Sequence, residues 1–211
     1  MMEHHEIEKH MKTGTTTVGI IAKDAVILAA ERKATMGYLV ASQDAEKIHQ
    51  LDDKLGVTIA GVVGDAQAII RYIKAELKLY SLQEGKNMSI ESSSTLMANI
   101  LYSRRYYPYI VQLVVAGYDT KPELYTLSPD GSVMPEKYFS TGSGSPVAFG
   151  VLENEFKEGI SADEAVRLAV RAVRAATKRD IASGGSGIDA VVISKSGYKK
   201  VNDDEVRKIA A

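Results

Sequence analysis

The chain contains no cysteine in its 211 residues. That absence excludes disulfides, thiolate metal sites and a cysteine nucleophile together, while leaving the redox compartment open. An excess of charge of one sign is missing too: 26 Lys and Arg stand against 27 Asp and Glu, a formal charge of -1 with a pI near 6.4. Such balance argues against a dedicated nucleic-acid surface, and no basic stripe is evident. Met1–Gly14 carries Glu3, His4, His5, Glu6, Glu8, Lys9, His10 and Lys12 but no apolar run. It fits neither a secretory signal nor a membrane span, and it reads as a leader that is disordered or removed. Histidine is scarce, and three of the four lie in that leader, where His5-Glu6 followed by His10 has the wrong spacing for a two-histidine zinc helix. Beyond it only His49 remains, so hydrolysis by a Ser-His pair would rest wholly on that residue. No internal repeat, low-complexity tract or linker divides the chain from Thr15 onward.

What is present is a sizeable apolar fraction, 45%, enough for the core of one large domain. The β-rich runs Thr16–Ile21 and Ala25–Ala30, separated by Ala22-Lys23-Asp24, predict a hairpin. Leu55–Val63 predicts another strand ending at Gly64, after which Asp65 is expected to cap a helix carrying Ile69, Ile73, Leu77 and Tyr80 at helical spacing and stopping near Gly85. A second helix is expected from Ile90 to Tyr106, with Ser89 as cap and Pro108 as a stop signal. Ile110–Ala116, Glu123–Leu127 and Ser132–Tyr138 read as an antiparallel meander, since Asp119-Thr120-Lys121-Pro122 and Ser128-Pro129-Asp130-Gly131 are both turn signals. Ser145–Phe156 predicts a third helix, and the capping box of Ser161 and Glu164 opens a fourth through Ala165, Leu168, Ala169, Ala172, Val173 and Ala176. Strands at Asp189–Ile193 and Tyr198–Val201 and a short helix at Asp203–Ile209 complete the chain. Strands, paired helices, strands and paired helices in that order give an α+β layered plan, antiparallel sheets with helices packed outside.

The chemically pointed feature is the bond Gly14–Thr15, between the charged leader and the first strand. An internal threonine hydroxyl is a poor nucleophile, because nothing beside it takes its proton. If that bond is cut, Thr15 carries a hydroxyl and a free α-amine on one residue, and an amine with an ordinary pKa of about 7.7–8.0 accepts a proton near neutrality. Alone, the dipeptide is a common loop-to-strand joint.

Further segments give it context: Gly14-Thr15-Thr16-Thr17-Val18-Gly19, Ala30-Glu31-Arg32-Lys33-Ala34-Thr35, Ala45-Glu46-Lys47-Ile48, Ile59-Ala60-Gly61-Val62-Val63-Gly64-Asp65-Ala66-Gln67, Ser140-Thr141-Gly142-Ser143-Gly144-Ser145-Pro146 and Lys178-Arg179-Asp180-Ile181-Ala182-Ser183-Gly184. In this order and spacing the chain after the leader resembles the catalytic β subunits of 20S proteasomes, most closely the archaeal form. The resemblance implies a four-layer αββα sandwich, the N-terminal nucleophile hydrolase fold, with residues 1–14 a propeptide removed by autocatalysis and residues 15–211 the catalytic domain. It implies Thr15 as nucleophile, Glu31 and Lys47 as its charged neighbours, Ser143, Asp180 and Ser183 supporting the terminal amine and hydroxyl, and Gly61 offering an oxyanion N–H. Thr35, Gly61 and Val63 are expected to add an unfolded polypeptide as a strand, while Ala34, Ala45, His49, Ile59, Val63 and Gln67 line the pocket for the residue before the cut. Mostly apolar walls favour large hydrophobic or aromatic side chains there.

The resemblance further implies homo-heptameric β rings stacked with α-subunit rings, an ATPase regulator, a cytoplasmic setting and no cofactor, metal, nucleic acid or membrane. Each residue has a plainer reading alone: Lys47 as a surface lysine, Glu31 as a strand-end charge, Asp180 as a helix-exit residue. Thr141-Gly142-Ser143-Gly144 also looks like a phosphate loop, but it has no Walker lysine. The loop Ser183–Asp189 is one residue longer than in the shortest family versions, which leaves Ser186 without an assigned role. The rival readings are another N-terminal nucleophile amidohydrolase and a non-catalytic ring subunit.

Overall fold

Strand β2 (Ala25–Glu31) is buried along its whole length, and its alternate residues serve two different cores. Ala25, Ile27 and Ala29 face one way, into a helix layer, while Val26, Leu28 and Ala30 face the other, into a space between two sheets. A strand covered on both faces needs no polar alternation, which is why it reads as a near-continuous apolar run. A computed structural model shows this arrangement and describes residues 14–211; the leader readings for residues 1–13, including the histidines at positions 4, 5 and 10, lie outside them.

Strand β2 pairs antiparallel with β1 (Thr17–Ile21), as the hairpin reading expects, and with β11 (Ile188–Ser194). β10 (Tyr138–Thr141) and β12 (Gly197–Lys200) lie at the edges, giving a first sheet ordered β10-β1-β2-β11-β12. The second sheet runs β5-β6-β7-β8-β9, from β5 (Ile48–Asp52), β6 (Leu55–Gly61), β7 (Val111–Tyr118), β8 (Pro122–Leu127) and β9 (Val133–Pro135). Helices α3 (Ser145–Glu155), α4 (Ala162–Thr177) and α5 (Asp203–Ala210) cover the first sheet, while α1 (Val63–Glu84) and α2 (Ile90–Ser103) cover the second. Between the sheets lies the third apolar cluster, in which Val26, Leu28 and Ala30 meet Val114, Ala116 and Leu124. The result is the four-layer αββα sandwich.

Helix α4 opens on the expected capping box, with Ser161 accepting from the Glu164 N–H and Glu164 accepting from the Ser161 N–H. Its buried face is mostly alanine and valine, so it seats closely on β1 and β2. Helix α1 ends as expected at Gly85, whose φ of 67° is the left-handed cap conformation.

Other expectations need correction. Asp65 does not cap α1: the helix begins at Val63, and the Asp65 carboxylate instead accepts from the Ile110 N–H at 2.9 Å, tying the helix start to the entry of β7. The run Ser132–Tyr138 is two strands rather than one. Pro135 ends pairing with β8, the chain crosses between sheets at residues 136–137, and Tyr138 starts an edge strand on β1. Helix α2 stops at Ser103, short of Tyr106. Two features had no clear sequence signal: strand β5, and a small hairpin of β3 (Ala34–Met36) and β4 (Leu39–Ser42) around Gly37.

Candidate active site

Thr15 lies just ahead of β1, beside the point where Thr58 Oγ1 of β6 donates to Thr17 Oγ1 of β1 at 2.9 Å across the two sheets. Its carbonyl accepts from the Gly144 N–H at 3.2 Å, so the loop between β10 and α3 holds its main chain. Side chains reach it from both sheets. Glu31 closes β2 in the first sheet, and Lys47 stands immediately before β5 in the second. The Lys47 carbonyl accepts from Ile59 N–H at 3.1 Å, which fixes the lysine to β6.

Lys47 Nζ donates to Thr15 Oγ1 at 3.0 Å and forms a short ion pair with Glu31 Oε1. Glu31 is fully buried and accepts three further hydrogen bonds, from the backbone N–H groups of Thr16 (3.2 Å), Lys33 (2.7 Å) and Gly184 (2.8 Å). A buried carboxylate is tolerable when its oxygens are satisfied in this way. Burial lowers the proton affinity of Lys47 below that of an ordinary lysine, and the Glu31 charge pulls in the opposite direction. The resulting group places a cationic donor against the Thr15 oxygen while holding its proton less firmly than a surface lysine does.

The second arm lies on the nitrogen side. Thr15 N donates to Ser143 Oγ at 3.3 Å, Ser143 Oγ donates to Asp180 Oδ2 at 2.6 Å, and Ser183 Oγ donates to the same oxygen at 2.6 Å. Asp180 follows the end of α4, where the chain makes a tight turn that also brings the Ser183 N–H to the Asp180 carbonyl. Asp180 and Ser183 therefore reach the Thr15 nitrogen through Ser143, without touching it. Ser186 hydrogen-bonds to Gln43 and Asp44, so the extra loop residue ties two loops together rather than joining the Thr15 cluster.

A cavity of about 240 Å³ opens beside Thr15, lined by Gly14, Ala34, Thr35, Ala45, Lys47, His49, Ile59, Gly61, Val63 and Gln67. All eight residues expected to bind substrate are on this wall, together with Glu46 and Ala66, which sequence reasoning missed. Ala66 was legible in principle, because Val63, Ala66 and Gln67 share one face of α1 by helical spacing. Gly61 has φ of 140°, and a Cβ there would meet the Ile110 carbonyl oxygen at 2.1 Å, so the β6 terminus admits no side chain. Burial lowers the pKa of His49 from its ordinary 6.5, Glu46 raising it and Lys74 lowering it further, so His49 adds no charge to the pocket at neutral pH.

Gly14 shows how a peptide lies here. Its N–H donates to Thr35 Oγ1 at 3.1 Å, and its carbonyl oxygen accepts from the Thr15 hydroxyl at 2.7 Å. A Cβ on Gly14 would sit 1.6 Å from the Ala182 Cβ, so a larger residue cannot occupy the position without displacing the loop that carries Asp180 and Ser183. If the bond Gly14–Thr15 is cut by Thr15, Gly14→Val is expected to slow that cleavage at least about tenfold, followed as loss of leader mass with time. Complete conversion at the parent's rate would contradict this reading of the contact.

The sequence pattern of the family described as "Proteasome subunit" matches residues 11–193. A "Proteasome subunit beta" of Methanohalophilus mahii is 50% identical over 204 residues, covering 96% of each chain. That of Thermoplasma acidophilum is 48% identical over 196 residues, 93% of each, and that of Methanocaldococcus vulcanius 47% identical over 199 residues, 93% of this chain and 89% of its own. With matches this close over nearly the whole length, the protein belongs to the proteasome subunit family, as a β subunit of archaeal type.

Proposed function

We propose that this chain is the threonine-type endopeptidase subunit of a 20S proteasome core, made as a precursor that cuts itself between Gly14 and Thr15. The observation that carries the proposal is the Thr15 hydroxyl, hydrogen-bonded to the carbonyl group it must attack and in contact with Lys47 Nζ. In the precursor the Thr15 nitrogen is an amide and cannot serve as a base. Lys47, whose hold on its proton burial weakens, is the group in contact with the hydroxyl that becomes basic once it has released its own proton. Thr15 Oγ bonds to the Gly14 carbonyl carbon, the Gly14–Thr15 C–N bond breaks with a proton passing to nitrogen, and water then splits the resulting ester. Residues 1–14 leave as a propeptide and residues 15–211 remain as the catalytic domain.

In the mature chain the freed amine takes the Thr15 hydroxyl proton as the oxygen attacks a substrate carbonyl, then gives it to the leaving amine. Lys47, paired with Glu31, stabilises the developing alkoxide, and Gly61 offers its N–H to the oxyanion. The substrate is an unfolded polypeptide lying extended between Thr35 and Gly61, in the place where Gly14 lies in the precursor. Homo-heptameric rings of this subunit, stacked with α-subunit rings and fed by an ATPase regulator, would enclose these sites in a chamber.

Ala34, Ala45, Ile59, Val63 and Ala66 give the cavity apolar walls, and a neutral His49 adds no charge at pH 7. The expected order of cleavage-site preference is therefore aromatic and large aliphatic above acidic and basic, by at least about tenfold in kcat/KM. Fluorogenic peptides differing only at that residue measure it, and a dominant preference for lysine or arginine would show that Glu46, not the apolar wall, sets specificity.

A further inference from the structure

Thr16 carries a hydroxyl that neither the nucleophile nor the ion pair accounts for, and it is fully buried. Its oxygen lies 2.6 Å from Ser183 Oγ, a contact in which distance alone does not say which group donates. The neighbouring bonds decide it. The Asp180 carboxylate oxygen Oδ2 only accepts, and both Ser143 Oγ and Ser183 Oγ lie 2.6 Å from it. Each serine has one hydroxyl hydrogen, and Asp180 takes both. Ser183 then has only lone pairs left for Thr16, so Thr16 is the donor. Ser143 likewise has only lone pairs left for the Thr15 nitrogen, 3.3 Å away. The hydrogen bonds therefore run from Thr16 through Ser183 to Asp180, and from the Thr15 nitrogen through Ser143 to the same carboxylate oxygen.

The surroundings reserve room for this hydroxyl. A Cβ on Gly144 would lie 2.0 Å from Thr16 Oγ1. The Thr16 N–H meanwhile donates to Glu31 Oε1 at 3.2 Å, so one residue ties the Lys47 arm to the Asp180 arm.

We propose that Thr16 is a positioning residue: by donating into Ser183 it completes the hydrogen bonds that converge on Asp180 and draws charge from the carboxylate oxygen against which Ser143 holds the Thr15 nitrogen. This rests on the reading of Thr15 as nucleophile. The direction of the Ser143 bond, set by Asp180, matters because the freed amine must keep its own lone pair for the Thr15 proton. A Ser143 hydroxyl turned the other way would donate to that lone pair and occupy the base. Losing the Thr16 donor also leaves more negative charge on Asp180, and a nearby negative charge raises an amine's proton affinity. The acidic limb of the rate profile then moves to higher pH.

The test compares assembled particles carrying Thr16→Ser, which keeps the hydroxyl, and Thr16→Val, which keeps the shape. Rates of hydrophobic-peptide cleavage are expressed per mature chain counted by intact mass, across about pH 5 to 9. Thr16→Ser is expected to stay within about twofold of the parent, while Thr16→Val loses about tenfold at neutral pH with its acidic limb shifted upward. The double variant of Thr16→Val with Ser183→Ala is expected to be no slower than Ser183→Ala alone, because both interrupt one chain. The proposal is overturned if the Thr16→Val profile keeps the parent's acidic limb, whatever happens to stability, or if Thr16→Ser behaves like Thr16→Val. Thr15→Ala run in parallel separates the two levels: if it is inactive and the Thr16 profiles coincide, only the Thr16 role falls, whereas an active Thr15→Ala removes both.

Discussion

Thr15→Ala is expected to leave the leader attached and to abolish peptide-bond cleavage. The substitution removes the hydroxyl oxygen that contacts Lys47 Nζ and the Gly14 carbonyl oxygen together. It leaves the fold nearly untouched, since the Thr15 main chain stays anchored through Gly144. Loss of a nucleophile that works as one unit with its base lowers turnover by on the order of 10⁶, below the detection limit of a peptide assay. Intact mass and a fluorogenic peptide give the two readouts from one preparation. Measurable turnover by pure Thr15→Ala would remove the proposed mechanism, while clean loss of the leader without turnover would restrict Thr15 to the substrate reaction.

Lys47→Met is expected to cost both activity and stability, through the same atom. The lysine is 7% exposed and Glu31 fully buried, so the variant strands a carboxylate in the interior. Breaking one side of such a pair typically costs about 3–5 kcal/mol. The three backbone N–H donors that remain on Glu31 put the expectation near the lower end. Activity is expected to fall by roughly 10²–10⁴ as the Thr15 oxygen loses its donor and the precursor loses its base. Combining Lys47→Met with Glu31→Gln should recover part of the stability and none of the activity. Recovery is partial because a glutamine amide turns its NH₂ toward the Thr16 N–H, donor against donor. Thermal melts at fixed protomer concentration, beside peptide turnover, separate the two effects. Near-parental activity in Lys47→Met would leave the ion pair with a purely structural role.

Much of this architecture can be read from the amino acids, because the strongest signals are local. The Ser161–Glu164 box, the glycine after α1 and the β1–β2 hairpin each depend on a few neighbouring residues, and each is found where expected. What the sequence hid depends on distant partners. Asp65 has the chemistry of a cap, but Ile110, far along the chain, offers its carboxylate a better donor. Ser132–Tyr138 has continuous strand character, and only the presence of two separate sheets divides it. The candidate site residues were singled out from motifs in a known order, whereas their wiring was not. That Asp180 reaches the Thr15 nitrogen by way of Ser143, and that Thr16 bonds to Ser183, follows from where loops 143–144 and 180–184 meet. Glu46 drew no attention beside Lys47, since nothing in a linear reading tells that two adjacent charges both border one cavity.

Thr15 leads into one sheet, while Lys47 leads into the other, whose strands carry His49 and Ile59. Their separation is therefore a thickness, maintained by the slab of Val26, Leu28, Ala30, Val114, Ala116 and Leu124 that keeps the sheets apart. Gly19 marks how fine that tolerance is, for a Cβ there would press within 2.7 Å of Leu124. A methyl group inserted at this depth, remote from every reacting atom, acts as a shim under the threonine and retunes the enzyme's reach without altering any group that performs the chemistry.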